Sequence, residues 1–429
     1  MRECLERVGK NTFLDLMQDL MLQNKESPLA FLRNLSQEKF LRLGLPDRNQ
    51  ESYQYVPLNK LYEGSFVGKE NSVEAQLETL RLPESSNSSF VFVDGCFSKE
   101  LSSLDAIPKQ AVIMPLSSAL TGSYSSYLKH RIQTLTQEEG DSLALLNGAL
   151  ASDGLFIYVP PKVKIESPIQ FLFLQTGKEA FCNPRIHLFM GAQAEASFVS
   201  SIEGDSRFYN GFVDLALEEK AICSYSCHSG LETAGGSFSF FRATLKKGSF
   251  LKSDLVTFGG DLLRHDYKVS LLGEMAEVEL RGLAPLTGVK QAHVHVHIEH
   301  SAPSCRSHQL FKNILLSKSR SSFTGKIYVK RTAQKTQAYQ LNKNLVLSDL
   351  SMAFSKPNLE IFADDVKASH GSTIAQLEEE HLLYLRTRGI SLEEAQALLI
   401  QGFCEEILEK ISLESLRSKL FSLSLACLK

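Results

Sequence analysis

The stretch GAQAEASFVS, residues 191–200, has three counterparts further along the chain: EEKAICSYSC (218–227), KGSFLKSDLVTF (247–258) and GEMAEVELRG (273–282). Each begins with a small or charged turn and continues as alternating apolar and polar residues, the pattern of a β-strand with one buried face. Their starts lie 27, 29 and 26 residues apart, with no helical pattern between them. This spacing predicts stacked coils, as in a β-solenoid, although a β-sandwich has similar short strands.

Two amphipathic helices are predicted before these strands. Phe13, Leu16, Met17 and Leu20 follow the spacing that places side chains on one helix face. A second helix is predicted between the start signal Ser27-Pro28 and the stop signal Gly44, because proline favours the first helical position and glycine the end.

Helical patterns return after Thr373. The segment LEEEHLLYLRTRG (377–389) ends on a glycine suited to a helix C-terminus. SLEE (391–394) is a capping box that opens the next helix, and a third helix is predicted through Leu425. The architecture is therefore predicted to be mainly β, with helices at both ends.

This pattern divides the chain into four parts. They are an N-terminal helical domain (1–62), a mixed α/β connecting region (63–150), a β core (151–372) and a C-terminal helical domain (373–429). A chain of this length has room for two or three such modules.

The composition excludes several classes of function. The 429 residues carry 46 Lys+Arg against 49 Asp+Glu, a net charge of −3, so no basic excess for nucleic acid or an anionic membrane is expected. No apolar run is long enough to span a bilayer, and the acidic residues near the start do not fit a signal or transit peptide, which predicts a cytoplasmic protein. The eight cysteines are scattered and form no disulfide framework.

Common catalytic motifs are absent. The chain has no GxxxxGK[ST], GxGxxG, GxSxG, HExxH or CxxC. Any nucleotide hydrolysis in which the protein takes part would therefore come from a partner.

The densest histidine cluster is HVHVHIEH (293–300). On a strand, His293, His295 and His297 would point to one face, where neighbouring imidazoles can share a metal ion. The alternative is a polar sheet face, since no carboxylate or cysteine in the run completes a site. Whether purified protein retains a transition metal in stoichiometric amount would separate the two interpretations.

Cys223, Cys227 and His228 form a second candidate cluster. The two cysteines would lie on one face of a strand, but four residues of extended chain separate them by about 13 Å, too far for one ion. Burial of both thiols as small apolar groups is the favoured interpretation.

A third cluster lies in PNLEIFADDVKASHGST (357–373), which is predicted to follow a strand and to precede the helical domain. Its polar residues are Glu360, Asp364, Asp365, Lys367 and His370. The two adjacent aspartates fit either an acid–base pair or the capping of a turn. His370 is followed by a glycine, and a neutral imidazole there can bind iron.

Here the sequence resembles the SufB/SufD family of iron–sulfur cluster assembly proteins. The segments that carry the resemblance are KPNLEIFADDVKASHGSTIAQLEEEHLLYLRTRGI (356–390), QLNKNLVLSD (340–349), GLP (44–46) with ESYQY (51–55), FVFVDG (90–95), LNGALASDGLFIYVP (146–160), NPRIHLFMGAQAEASF (183–198) and HIEH (297–300) with SCRSHQLFKNIL (304–315). Tyr53 stands where the family usually has tryptophan. The length, the DDVK-x-SHG segment and the lack of an N-terminal cysteine motif resemble the SufD branch.

The resemblance implies a right-handed parallel β-helix, also called a β-solenoid, with helical domains at both ends. It also implies a complex with SufB and with the ATPase SufC, which would dock on the C-terminal helical domain. His370 matches the family histidine at the SufB–SufD interface, whereas Ala368 stands where the family usually has cysteine. Partner contacts are expected at Glu360, Asp364, Asp365, Lys367, Tyr384, Arg386 and Arg388.

We therefore expect a non-catalytic subunit of a SUF-type scaffold. The implied cofactors are a transient iron–sulfur cluster or iron shared with SufB, with FAD in the complex and ATP bound by SufC rather than by this chain. One alternative is a cytosolic β-helix enzyme acting on polysaccharide through Asp364, Asp365 or the histidine face, and the absence of tryptophan counts against it. Another is a homodimer with a separate iron-handling role.

Overall fold

The computed structural model describes residues 12–21, 27–62, 77, 79–177, 181–230 and 236–426. The strands are β1 (Ser89–Val93), β2 (Cys96–Ser103), β3 (Val112–Pro115), β4 (Leu155–Val159), β5 (Ile169–Gln175), β6 (Phe181–Cys182), β7 (Arg185–Met190), β8 (Glu195–Gly204), β9 (Phe208–Leu217), β10 (Ile222–Ser229), β11 (Gly236–Leu245), β12 (Phe250–Thr257), β13 (Leu263–Leu271), β14 (Glu277–Leu286), β15 (Gln291–His300), β16 (Arg306–Leu315), β17 (Arg320–Val329), β18 (Thr336–Val346), β19 (Met352–Ile361) and β20 (Val366–Ala375). The helices are α1 (residues 12–21), α2 (Ala30–Leu43), α3 (Asn59–Tyr62), α4 (Leu116–Thr121), α5 (Ser125–Glu138), α6 (Ser142–Ala149), α7 (Glu379–Thr387), α8 (Leu392–Leu408) and α9 (Glu414–Ala426).

Two sheets face each other across one core. Sheet one has the order β2-β1-β5-β8-β10-β12-β14-β16-β18-β20, and sheet two has the order β19-β17-β15-β13-β11-β9-β7-β4-β3. From β7 onward the chain alternates between the two sheets, so each turn adds one parallel strand to each sheet. The short β6, which precedes β7, pairs with β9 of sheet two. The result is a parallel β-solenoid of about seven turns, which confirms the predicted fold class.

The four repeated stretches form successive strands of sheet one. They supply β8, β10, β12 and β14, and Ala196, Cys223, Leu251 and Val278 are paired in register from strand to strand. These four side chains are all buried in the core between the sheets. The offset of 27 or 28 residues between paired positions is one turn of the solenoid, so the spacing in the sequence reflects the coil.

One corner of the solenoid is built by a repeated backbone conformation. A residue with φ between 56° and 64° precedes successive strands of sheet one, and its N–H donates to a carbonyl of the next turn over 2.6–3.2 Å. The residues are Gln193, Lys220, Gly248, Met275, Ser304 and Lys335. This ladder satisfies backbone groups that the turn would otherwise leave unpaired.

The N-terminal helices cover the outer face of sheet two. Phe13 and Met17 of α1 are buried in one cluster with Phe208 and Phe240, which point outward from β9 and β11. The predicted face of the first helix is thereby confirmed. The second predicted helix is α2, which ends at Gly44 with φ 70°.

A buried ionic cluster, formed by Tyr53, Glu139, Asp141, Arg242, Arg264, Asp266 and His295, joins the N-terminal part to sheet two. The Tyr53 hydroxyl donates to the Asp141 carboxylate at 2.8 Å, and the Arg264 guanidinium lies 4.1 Å from the centre of the Tyr53 ring. Asp141 also caps the N-terminus of α6. Tyr53 thus presents an aromatic face to the Arg264 guanidinium and a hydroxyl to the Asp141 carboxylate.

The C-terminal helices cover part of the outer face of sheet one. Cys404 and Ile407 of α8 pack in one cluster with Leu283 and Leu310 of β14 and β16. The predicted capping box at Ser391 is present and opens α8. The predicted third helix is α9.

Lys312 fastens α8 to the solenoid. This buried lysine donates to the Phe403 carbonyl at 2.7 Å and pairs with the Glu406 carboxylate. Lys343 reaches the same carboxylate at 3.5 Å from a more exposed position.

We expect Lys312→Met to loosen α8, because it leaves the Phe403 carbonyl and Glu406 without their ammonium group. Amide hydrogen exchange in α8 should accelerate by about tenfold, corresponding to about 1.4 kcal/mol. Exchange in the solenoid strands should not change, and Lys343→Met should have a much smaller effect. Equal effects of the two substitutions would show that Lys312 is not the fastening residue.

The structure also shows where the predicted parts meet. Strand β20 continues to Ala375, beyond the boundary predicted at residue 372, and α7 begins at Glu379. The region predicted as a connector, 63–150, supplies β1 to sheet one and β3 to sheet two. No helix in the described ranges is long and apolar enough to cross a membrane.

Candidate functional site at the free end of the solenoid

The last turn of the solenoid has two free strand edges. Strand β20 is the terminal strand of sheet one and pairs with β18, while β19 is the terminal strand of sheet two and pairs with β17. Within the described residues, no further strand covers either edge. Each strand has ten residues, so both edges offer long rows of backbone groups.

The direction of the free backbone groups on β20 follows from the ladder. The Lys335 N–H donates to the Asp365 carbonyl at 2.6 Å, and the register from Thr336↔Val366 onward continues without a bulge. Because backbone groups alternate along a parallel strand, the odd-numbered residues of β20 bond to β18. The N–H and C=O groups of Ala368, His370 and Ser372 therefore point to the free edge.

His370 lies in the middle of β20, and its side chain is exposed. The sequence predicts that the segment of His370 follows a strand and precedes the helical domain, and in the structure this segment is itself strand β20. Beyond His370 the strand continues for five residues, to Ala375, along its partner β18. His370 is therefore held on a regular strand at the edge of the sheet.

The predicted contact residues near His370 lie around the same last turn. Glu360 on β19 forms an ion pair with Lys326. Asp364 and Asp365 are exposed at the corner between β19 and β20, where the Asp365 N–H donates to the Gln334 side chain at 2.9 Å. Lys367 is exposed on β20. The two aspartates thus lie at the corner of the last turn, where the backbone of Asp365 is held by Gln334 and Lys335.

The histidine run forms part of β15, but its members have separate surroundings. Nδ1 of His293 lies 2.7 Å from the Ser322 hydroxyl, and Nδ1 of His295 lies 2.8 Å from the Asp266 carboxylate. Burial and the nearby Arg264 lower the pKa of His293 to about 3, which keeps it neutral. His297 also has its pKa lowered to about 4, by burial and by charges including Lys268. A metal shared by the three histidines gains no support from these contacts.

Cys223 and Cys227 are buried in the solenoid core. Burial raises the pKa of both thiols, that of Cys227 to about 12, so neither is a thiolate at neutral pH. This agrees with the favoured interpretation that they pack as small apolar groups. His228 points away from them, 3.5 Å from the Glu203 carboxylate.

Tyr384, Arg386 and Arg388 lie on the exposed side of the C-terminal helices. Tyr384 and Arg386 belong to α7, and the Arg388 guanidinium lies 5.1 Å from the Tyr384 ring. The neighbouring Leu383 is 62% exposed. These residues lie on the first helix after β20 and at its end, and they present an aromatic, basic and apolar surface of their own.

No group of three histidine, cysteine or acidic side chains in the described part of the chain is arranged to hold a metal ion. Strands β19 and β20 contain no cysteine, and Ala368 occupies the position two residues before His370. The free end therefore offers one imidazole and no thiol of its own.

Sequence reasoning missed the polar residues inside the last turns. Gln309 and Gln340 are buried in the interior, one below the other in the register that leads to His370. Residue type alone gave no signal, because glutamine on a strand is normally exposed. The one available hint was Gly325, since a glycine within a strand often marks a close approach.

Comparison with known proteins agrees with this architecture. A family described as the SUF system FeS cluster assembly, SufBD core domain, matches residues 173–403, and the SufBD protein N-terminal region matches residues 10–171. An iron–sulfur cluster assembly SufBD family protein of Synechocystis is 30% identical over 97% of this chain and 93% of its own. The iron–sulfur cluster assembly protein SufD of Escherichia coli is 28% identical over 90% of each chain. A chloroplastic protein of Arabidopsis thaliana is 30% identical over 91% of this chain and 84% of its own.

Proposed function

Since the chain belongs to the SufBD family of iron–sulfur cluster assembly proteins, we propose that it is a non-enzymatic scaffold subunit that completes a cluster-building site together with SufB. The observation that carries this proposal is the position of His370, exposed on a strand with a free edge. A ligand on an unpaired edge becomes part of a full site when a second strand is added beside it.

The chemistry of one imidazole fits a shared site. Iron accepts imidazole and thiolate ligands together, and mixed ligation changes the properties of a cluster from those of an all-thiolate one. This chain contributes His370 and, with Ala368, no thiol beside it. The cluster is the cargo of the assembly, and the thiolates that hold it would come from SufB.

The free edges support pairing with a strand of SufB. An added strand would satisfy the exposed backbone groups of β20 and remove an aggregation hazard. Exposed apolar side chains lie around the same end, including Phe362 at 51% and Ile374 at 54% exposure. Their burial would add to the backbone hydrogen bonds, with Asp364, Asp365 and Lys367 at the rim.

The C-terminal helices are the proposed docking surface for SufC. Leu383 and Tyr384 supply exposed apolar area, and Arg386 and Arg388 supply charge. ATP would be bound by SufC, because this chain has no GxxxxGK[ST] loop. FAD, if bound in the complex, and the cytoplasmic location are parts of the same proposal.

A proline at position 372 tests the pairing. The Ser372 N–H points to the free edge, so Ser372→Pro removes no hydrogen bond to β18 but blocks an added strand. We expect the variant to fold normally and to bind SufB at least about tenfold more weakly, measured by titration calorimetry with SufC present. Ser372→Ala is the control, because it changes the same side chain and keeps the N–H.

Unchanged affinity of Ser372→Pro for SufB would contradict pairing through β20. If the purified chain forms a dimer that the proline also disrupts, the same edge pairs with a second copy when SufB is absent. The scaffold role requires that this chain binds SufB more tightly than it binds a second copy of itself, so that added SufB dissociates the dimer.

A further inference from the structure

A column of polar side chains leads inward from His370. Gln309, Gln340 and His370 are in register on β16, β18 and β20. Residues paired in register on a parallel sheet share a face, and adjacent strands lie about 4.8 Å apart. Gln309 and Gln340 are 0% and 3% exposed, so this shared face is the solenoid interior. The side chain of His370 therefore starts directly above the carboxamide of Gln340.

The two glutamines have no hydrogen-bond partner for either the oxygen or the nitrogen of their carboxamides. Leaving a buried polar group unpaired costs about 1–3 kcal/mol. The neighbouring asparagines differ, because Asn342 donates to the Phe311 carbonyl at 3.1 Å and Asn344 donates to Asn342 at 2.8 Å. In these last turns the amides of Asn342 and Asn344 therefore donate hydrogen bonds, whereas those of Gln309 and Gln340 do not.

Gly325 makes room for the upper glutamine. A β-carbon at this position of β17 would lie 2.5 Å from Nε2 of Gln340, so the end of the glutamine side chain would have to move. The glycine has no unusual backbone conformation that would otherwise require it. Gly325 therefore leaves space in the interior for the Gln340 carboxamide in its present position.

We propose that Gln340 is a positioning residue for His370, a proposal that rests on the ligand role given to His370 above. The carboxamide oxygen of Gln340 accepts the ring N–H of the neutral imidazole. The exposed ring turns inward at little packing cost, because no tightly packed neighbour holds it outside. The second ring nitrogen then keeps its lone pair directed to the free edge.

This arrangement follows the usual chemistry of histidine ligands. A neutral imidazole has one donor and one acceptor nitrogen, and a hydrogen bond at the donor selects the tautomer. Partners of this kind orient the ring, and their loss typically weakens metal binding by 10–100-fold. Gln340 would supply this support from inside the solenoid, where solvent does not compete.

Nuclear magnetic resonance of the isolated chain tests the proposal without iron. With ¹⁵N-labelled histidine, wild-type His370 should populate one tautomer at least about tenfold more than the other. Its ring N–H proton should be protected from exchange with water. Gln340→Met should abolish the protected proton and allow both tautomers. Gln309→Met, one strand further from His370, is the matched control and should leave the signals unchanged. Gln340→Glu keeps an acceptor oxygen, so the single tautomer and the protected proton should be present as in the wild-type chain.

Both variants to methionine should fold, because an apolar group of similar size replaces an unpaired amide. Two tautomers and no protected proton in the wild-type chain would overturn the proposal, whatever the variants do. An unchanged signal in Gln340→Met would also overturn it. The tautomer and the proton protection are measured without a cluster, so they do not depend on cluster formation. A failure of the ligand role proposed for His370 would appear in a different experiment, as full cluster yield from a complex lacking its imidazole.

Discussion

Asp266→Asn is expected to lower the free energy of unfolding by about 3–5 kcal/mol. Asp266 is buried and pairs with Arg242 at 2.7 Å, with Arg264 at 2.8 Å and with His295 at 2.8 Å. Burial alone would raise the pKa of this carboxyl, but the two guanidinium groups hold it well below its usual range. The asparagine would leave two buried cations without their shared anion.

Urea unfolding of the full chain measures this loss. Asp349→Asn is the control, because it makes the same chemical change at an exposed position. The N-terminal helices should separate from sheet two first, since Tyr53, Glu139 and Asp141 belong to the same ionic cluster. A free energy of unfolding within about 1 kcal/mol of wild type would mean that the ionic cluster does not hold the N-terminal part to sheet two.

His370→Ala is expected to reduce cluster formation by the assembled complex by about tenfold or more. The side chain is exposed, so its removal leaves no cavity and should not lower the stability of this chain. The backbone groups of β20 are unchanged, so pairing with SufB should be retained. The effect should therefore appear in the iron and sulfide content after anaerobic reconstitution, and not in the stoichiometry of the complex.

His130→Ala provides the comparison for this experiment. His130 is an exposed histidine on α5, a helix that belongs neither to the last turn of the solenoid nor to the C-terminal helices. Full cluster yield is expected from it. Full yield from His370→Ala as well would show that His370 is not a cluster ligand. The pairing of β20 with SufB is tested separately by Ser372→Pro.

Part of the fold could be predicted because its pattern is regular. The strands of sheet one show alternation where the inner face is apolar and the outer face is partly exposed, as in β10 and β14. The corner residues repeat with each turn. Strands β9 and β11 were not identified individually, because Phe212 and Phe240 point outward and are buried by the N-terminal part. A strand buried on both faces loses the alternation by which it is recognised.

The candidate site was harder to place from the sequence. His370 was singled out from its residue type and the glycine that follows it, and the family resemblance then gave it an interface role. No strand was assigned to 366–375, because most side chains of β20 are exposed and show no apolar alternation. A terminal strand of a solenoid has this composition when no further strand covers it, as here among the described residues. The role of Gln340 depends on its register with His370 and on its close approach to Gly325, and both are properties of the folded chain.

Pairing of the free edge is expected to make His370 an iron ligand. Pulsed electron paramagnetic resonance on the reduced cluster detects this ligand, with ¹⁵N-histidine incorporated only into this chain of the complex with SufB and SufC. We expect a ¹⁵N coupling from one imidazole that disappears in His370→Ala. No ¹⁵N coupling in the wild-type complex, or one that persists in the variant, would contradict it.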